Sequence, residues 1–151
     1  KAPNQVMGVY DKSLIEPIAN VLKGLGSRHV MVVHSADGLD ELSIADKTYV
    51  AELKEGVVTT YTIYPEELGF VLGDLNDIKA DDAKDSLNII KDAFSGKEGA
   101  ARDIISLNAG AAIYVCGLTD SLMSGIERSR LTLSDGSAQQ KLDDYIKISN
   151  G

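Results

Sequence analysis

Three carboxylates fall within five residues at Asp37-Gly38-Leu39-Asp40-Glu41, directly after the apolar run His29-Val30-Met31-Val32-Val33-His34. An Asp-Gly pair favours a tight turn, and such a turn presents the adjacent side chains of Asp40 and Glu41 together on one loop. Neighbouring carboxylates are hard oxygen donors of the kind Mg²⁺ takes, one or two at a time, with substrate phosphates completing its shell. The same residues also make an ordinary solvated acidic turn, and by themselves they leave both readings open. Other chemistry-bearing residues have plainer readings. His34 ends an apolar run and reads as a packed or hydrogen-bonded group rather than a general base. Asn108, inside Asn108-Ala109-Gly110-Ala111-Ala112, reads as an amide satisfying a nearby backbone group, with the small residues around it permitting close helix packing. Arg28 and His29 follow a helix end and read as surface groups complementing its dipole. Cys116, the single cysteine, lies in an apolar helical run and reads as a buried structural thiol.

The elements that must position these residues are legible from periodicity. Residues 5–10 and 29–34 are short apolar runs of strand type. Between them Leu14, Ile15, Ile18, Val21, Leu22 and Leu25 recur at helical spacing. Asp11-Lys12-Ser13 offers the helix start, Pro17 sits in its first turns, and Gly26 is its left-handed stop. Strand, helix and strand within about 35 residues make a βαβ unit, and the acidic turn then leaves the carboxyl end of its second strand, where ligands bind in open α/β sheets. Residues 48–53 and 57–63, joined by Lys54-Glu55-Gly56, read as an antiparallel hairpin. After a turn at residues 64–69 the chain reads as helical: from Asp81-Asp82 to Gly96, residues 99–115, 119–134 and 137–148. The fold class is α/β, a mixed sheet flanked by helices, and residues 1–151 read as one domain with neither repeat nor low-complexity linker.

Composition narrows the partners. The 151 residues carry a net charge of −8, with 44% hydrophobic and 25% charged residues, the balance of a soluble globular domain. Such acidity disfavours nucleic acid and anionic membrane surfaces, which require cationic patches. An anionic substrate remains compatible where a divalent cation bridges it to the protein. No stretch approaches the roughly 18 apolar residues of a membrane span. A lone cysteine fits a reducing, cytoplasmic setting. Lys1-Ala2-Pro3-Asn4 runs at once into strand-like sequence without a methionine or secretory signal, which reads as a piece of a longer chain.

From end to end the chain resembles the carboxyl-terminal α/β portion of the anthranilate phosphoribosyltransferases. His34 to Ser43, with its Asp-Gly-Leu-Asp-Glu core, is similar to the family segment that supplies two acidic Mg²⁺ contacts. The Val50-Ala51-Glu52-Leu53 hairpin, the Asn108-Ala109-Gly110-Ala111 helix and Ser134-Asp135-Gly136-Ser137-Ala138 followed by Lys141-Leu142 match family patterns in order. The resemblance implies the large domain of the nucleoside phosphorylase/phosphoribosyltransferase superfamily. It also implies that Asp40 and Glu41 hold Mg²⁺ against the diphosphate of phosphoribosyl pyrophosphate while anthranilate attacks the ribosyl carbon, a step of tryptophan biosynthesis. Two departures touch fine geometry: Ser35-Ala36 stands where the family often has a second glycine, and Asp85-Ser86 where Glu-Asn is common.

The same resemblance places the family's Gly-Thr-Gly-Gly-Asp phosphate loop, its anthranilate-binding arginine and its dimerising helical domain outside these residues. The expectation is therefore that the parent is a homodimer and that this piece folds but has no turnover alone. Two competing readings differ in their marks. A pyrimidine nucleoside phosphorylase relative shares the two-domain plan but is disfavoured by the acidic loop. A non-catalytic nucleic-acid-binding relative requires a basic surface that this chain lacks.

Overall fold

The computed structural model describes residues 2–151. Strand β1 (Asn4–Gly8) lies parallel to β2 (His29–Ser35), with Gly8 opposite Val33, and helix α1 (Ile15–Gly24) connects them. The other edge of β2 pairs antiparallel with β3 (Thr48–Lys54), which pairs antiparallel with β4 (Val57–Ile63), so the sheet order is β1-β2-β3-β4. Helices α2 (Ala83–Phe94), α3 (Ala100–Val115), α4 (Leu122–Ser134) and α5 (Ser137–Asn150) follow. The mixed α/β architecture is the one anticipated.

Local chemistry sets the boundaries. Asp11 accepts from the backbone N–H of Ser13 at 2.8 Å and opens a short 3-10 turn into α1, meeting donors that a helix start leaves free. Gly26 adopts φ 81° after α1. Glu55 and Gly56 hold φ 51° and 77°, the paired left-handed residues of a two-residue hairpin whose twist suits its strands. Asp82 accepts from Asp85 N–H at 2.7 Å to start α2, and Ser121 accepts from Ser124 N–H at 3.1 Å to start α4.

Strand β2 is apolar from Val30 to Val33 because it is central and covered twice. Val30 and Val32 face α1, meeting Ile15 and Ala19. Met31 and Val33 face the other layer, meeting Leu107, Ala111 and Val115 of α3 and Ile126 of α4. Close approach of α3 to α4 rests on glycine: a Cβ on Gly110 would lie 2.7 Å from the Ile126 backbone. Among the described residues no helix is long and apolar enough to cross a membrane.

Four expectations need correction. Val21 and Leu25 are 60% and 58% exposed: α1 rests on the sheet through Ile15, Ile18, Ala19 and Leu22, so its apolar stripe is wider than its contact. Strand β1 ends at Gly8, although Val9 N–H still reaches Val33 O at 3.0 Å. Cys116 is exposed rather than buried. It follows the last residue of α3, one step beyond the buried stripe Leu107, Ala111, Val115, and a single helical step turns a side chain about 100° off that face. His29 is not a surface residue either: its side chain is 12% exposed and lies 2.7 Å from Glu52.

Candidate metal centre

The acidic turn leaves the carboxyl end of β2 and lies beside that of β1. Gly38 takes φ 97°, and Asp37 Oδ1 accepts from Leu39 N–H at 3.1 Å, closing the turn. The second oxygen of Asp37 accepts from the hydroxyl of Ser43, a buried residue, and staples the loop across its base. Burial disfavours the Asp37 anion, but the Ser43 and Leu39 bonds outweigh that cost and hold its carboxyl below the ordinary range. Asp37 is thereby committed to the loop's own structure.

Further bonds fix the remainder. Ser35 N–H reaches Leu39 O at 2.9 Å and Ala36 N–H reaches Lys47 O at 2.9 Å. Ser43 N–H donates to Thr48 Oγ1 at 3.1 Å, and Gly73 N–H donates to Ile44 O at 3.0 Å. Ser35 and Ala36 keep negative φ, so the loop backbone needs no glycine there. His34 Nδ1 donates to Val9 O at 2.8 Å, which joins the ends of β1 and β2 and makes His34 the hydrogen-bonded group expected.

Asp40 and Glu41 stand apart from this web. Both are exposed, and among the described residues neither carboxylate takes part in an ion pair or a side-chain hydrogen bond. The backbone carbonyl of Asp40 lies so close over Gly8 that a Cβ there would overlap it. Two contacts bind Leu42, the residue after Glu41: its N–H donates to Asn108 Oδ1 at 3.0 Å, and its carbonyl accepts from Asn108 Nδ2 at 2.8 Å. Asn108 thus satisfies a nearby backbone group as anticipated, donating to Ile104 O at 3.0 Å, and in addition holds a residue 66 positions away. Among the described residues there is no cluster of three or more His, Cys, Asp or Glu able to enclose a metal. Two free carboxylates on a braced loop fit Mg²⁺ that draws its other ligands from water and substrate phosphate; they do not make a closed protein cage.

Residues 1–139 match the glycosyl transferase family, α/β domain. This chain belongs to that family. Within this glycosyl transferase family its relatives include anthranilate phosphoribosyltransferases. That of Ruthia magnifica subsp. Calyptogena magnifica is 60% identical over 149 residues, covering 99% of this chain and 44% of the relative. That of Hydrogenovibrio crunogenus is 48% identical over 147 residues, covering 97% and 43%. The solved anthranilate phosphoribosyltransferase of Thermus thermophilus superposes with TM-score 0.85 at 30% identity, covering 95% of this chain and 42% of that one. The Saccharomyces cerevisiae enzyme, solved with phosphoribosyl pyrophosphate and Mg, shares the fold with TM-score 0.84 at 24% identity, covering 95% and 42%. The chain spans about 44% of the length of the curated relatives it matches best among these.

Sequence reasoning missed a second polar cluster. Glu52, 8% exposed, accepts from His29 Nε2 at 2.7 Å, Tyr61 OH at 2.8 Å and Tyr114 OH at 2.8 Å, and Lys54 Nζ reaches Tyr114 OH at 3.1 Å. Burial works against the Glu52 anion, and the three donors overcome it and keep its carboxyl below the usual value. Burial and the neighbouring Glu52 charge push the Tyr61 phenol up. His29 begins β2 and Ser35 ends it, so this cluster sits about 20 Å from the acidic loop and ties the hairpin to α3. One signal for it was available: Glu52 shares the inward face of β3 with Val50, and a carboxylate there requires buried partners.

Proposed function

We propose that this chain is the α/β part of an anthranilate phosphoribosyltransferase, with Asp40 and Glu41 as its Mg²⁺ contacts. The observation carrying this reading is that these two carboxylates alone are left uncommitted on an otherwise pinned loop at the carboxyl ends of β1 and β2. Sequence identity of 60% to an anthranilate phosphoribosyltransferase over nearly the whole chain supports the same substrates, phosphoribosyl pyrophosphate and anthranilate, and a place in cytoplasmic tryptophan biosynthesis.

Breaking the bond between ribosyl C1 and diphosphate leaves negative charge on the departing oxygens and positive charge on the carbon. When bound, Mg²⁺ supplies charge neutralisation at the diphosphate. Asp40 and Glu41 hold the ion from the protein side, and the braced loop keeps them in place without reorganisation during the reaction. Attack by the anthranilate amine at C1 calls for positioning more than proton transfer, in keeping with a His34 already engaged by Val9 O. The remaining substrate contacts and the dimer interface belong to the portion of the full-length protein beyond this domain, so the domain alone is without turnover.

The test follows the loss of anthranilate fluorescence in the presence of phosphoribosyl pyrophosphate and Mg²⁺, catalysed by the full-length protein. Turnover that collapses in the Asp40→Ala/Glu41→Ala variant is the expected result. A soundly folded but inert wild-type protein would overturn the reading.

A further inference from the structure

We infer that Asn108 is a positioning residue for the Mg²⁺ contacts, acting through the backbone of Leu42; the inference rests on the function proposed above. Its carboxamide reads Leu42 as a neighbouring strand would, accepting from the N–H at 3.0 Å and donating to the carbonyl at 2.8 Å. A third bond, Nδ2 to Ile104 O at 3.0 Å, uses the other amide proton and fixes which way the group is turned. Only an amide with its nitrogen toward the two carbonyls and its oxygen toward the N–H satisfies all three. Aspartate has the same shape but no donor.

Location gives this clamp its consequence. Leu42 is fully buried and directly follows Glu41, so its backbone direction sets where the Glu41 side chain leaves the protein surface. The preceding residue, Asp40, is seated by its carbonyl over Gly8. Flanking the stretch on both sides, Asp37 and Ser43 bond to each other and close the loop base. The acidic pair is therefore suspended between a seat on β1 and a clamp from α3. Releasing the clamp leaves Glu41 attached to a stretch of backbone with two buried, unpaired polar groups, which will move to find water. Groups that orient metal ligands from behind are worth about 10- to 100-fold in metal affinity when removed.

The test titrates Mn²⁺, as a paramagnetic substitute for Mg²⁺, into full-length protein with phosphoribosyl pyrophosphate and follows free Mn²⁺ by electron paramagnetic resonance. Asn108→Ala and the near-isosteric Asn108→Asp are compared with Ile126→Val, which loosens the core that α3, α4 and Leu42 share but leaves all three Asn108 bonds in place. Each is measured well below its melting temperature. The expected result is Mn²⁺ binding weakened about 10-fold or more in both Asn108 variants, with a matching rise in the Mg²⁺ concentration for half-maximal turnover and little change in anthranilate KM. Ile126→Val should leave the Mn²⁺ curve in place at a comparable loss of stability. If Asn108→Ala does not fold, the Asp variant decides. A folded Asn108 variant that binds Mn²⁺ as the wild type does overturns the positioning role alone. Wild-type protein that binds no Mn²⁺ with phosphoribosyl pyrophosphate overturns the proposed function and this inference with it.

Discussion

Gly8→Ala isolates the seat of the acidic loop in one methyl group. Gly8 has no positive φ, so alanine suits its backbone and the consequence comes only from what the methyl meets. It meets the carbonyl oxygen, carbonyl carbon and Cβ of Asp40. Nonbonded carbons rest about 3.5 Å or more from their neighbours, so the loop must retreat by roughly 2 Å. It cannot retreat freely, because Asp37–Ser43 and Leu42–Asn108 hold it on either side of Asp40. Overpacking of this kind costs about 1–3 kcal/mol, equivalent to a fall of about 2–12 °C in Tm for a domain of this size. A displacement of 1 Å at a reacting centre costs on the order of 100-fold in rate, so Mg²⁺-dependent turnover of the full-length protein should drop at least that far. Gly24→Ala is the control: it ends α1, and nothing lies within 4 Å of its added Cβ, so the gain of a helix-compatible residue leaves stability unchanged or about 0.5 kcal/mol higher. Thermal melts and anthranilate-fluorescence assays on the two variants side by side decide the matter. A Gly8→Ala protein with wild-type Tm and turnover would refute the claim that Asp40 is seated on β1.

Acid should loosen the hairpin through Glu52. Its pKa is depressed in the fold, so its stabilising contribution is complete above the ordinary value of 4.5 and is lost as pH falls from there through the depressed folded value. Glu52→Gln should flatten the acid side of a plot of Tm against pH, and slopes identical to wild type below pH 4.5 would contradict this. Glu52→Ala strands donors from His29, Tyr61 and Tyr114 and should cost about 1–3 kcal/mol at neutral pH, read by chemical denaturation. Because Cys116 is exposed, it should react with a thiol reagent in native protein, and Cys116→Ser should shift stability by less than about 0.5 kcal/mol; protection until unfolding would show the thiol to be buried after all.

What could be read along the chain was whatever depends on residues a few positions apart. The turn that leads into α1 from Asp11, the stop at Gly26, the hairpin at Glu55-Gly56 and the apolar centre of β2 each follow from caps, left-handed residues and periodicity. The order of chemical groups at Asp37, Asp40 and Glu41 was equally plain, and the end-to-end resemblance to the anthranilate phosphoribosyltransferases suggested the role proposed for the last two. Helix faces were legible only in part, since periodicity marks an apolar stripe without saying how much of it a neighbour covers: Val21 and Leu25 stayed exposed.

Long-range partnerships belonged to the tertiary structure. Nothing near Gly8 in sequence indicates that Asp40 will rest on it. Nothing near Asn108 points to Leu42, 66 residues back. His29 passed for a surface group beside a helix end until the pairing of β2 with β3 brought Glu52 to it. Of three carboxylates alike in sequence, the loop's own local bonds committed Asp37, to Leu39 and Ser43, and left Asp40 and Glu41 free. For Asn108 and His29 the physical reason is the same. Caps and turns are decided by local sterics and nearby hydrogen bonds, whereas a buried polar atom takes whichever partner the packing of sheet against helix delivers.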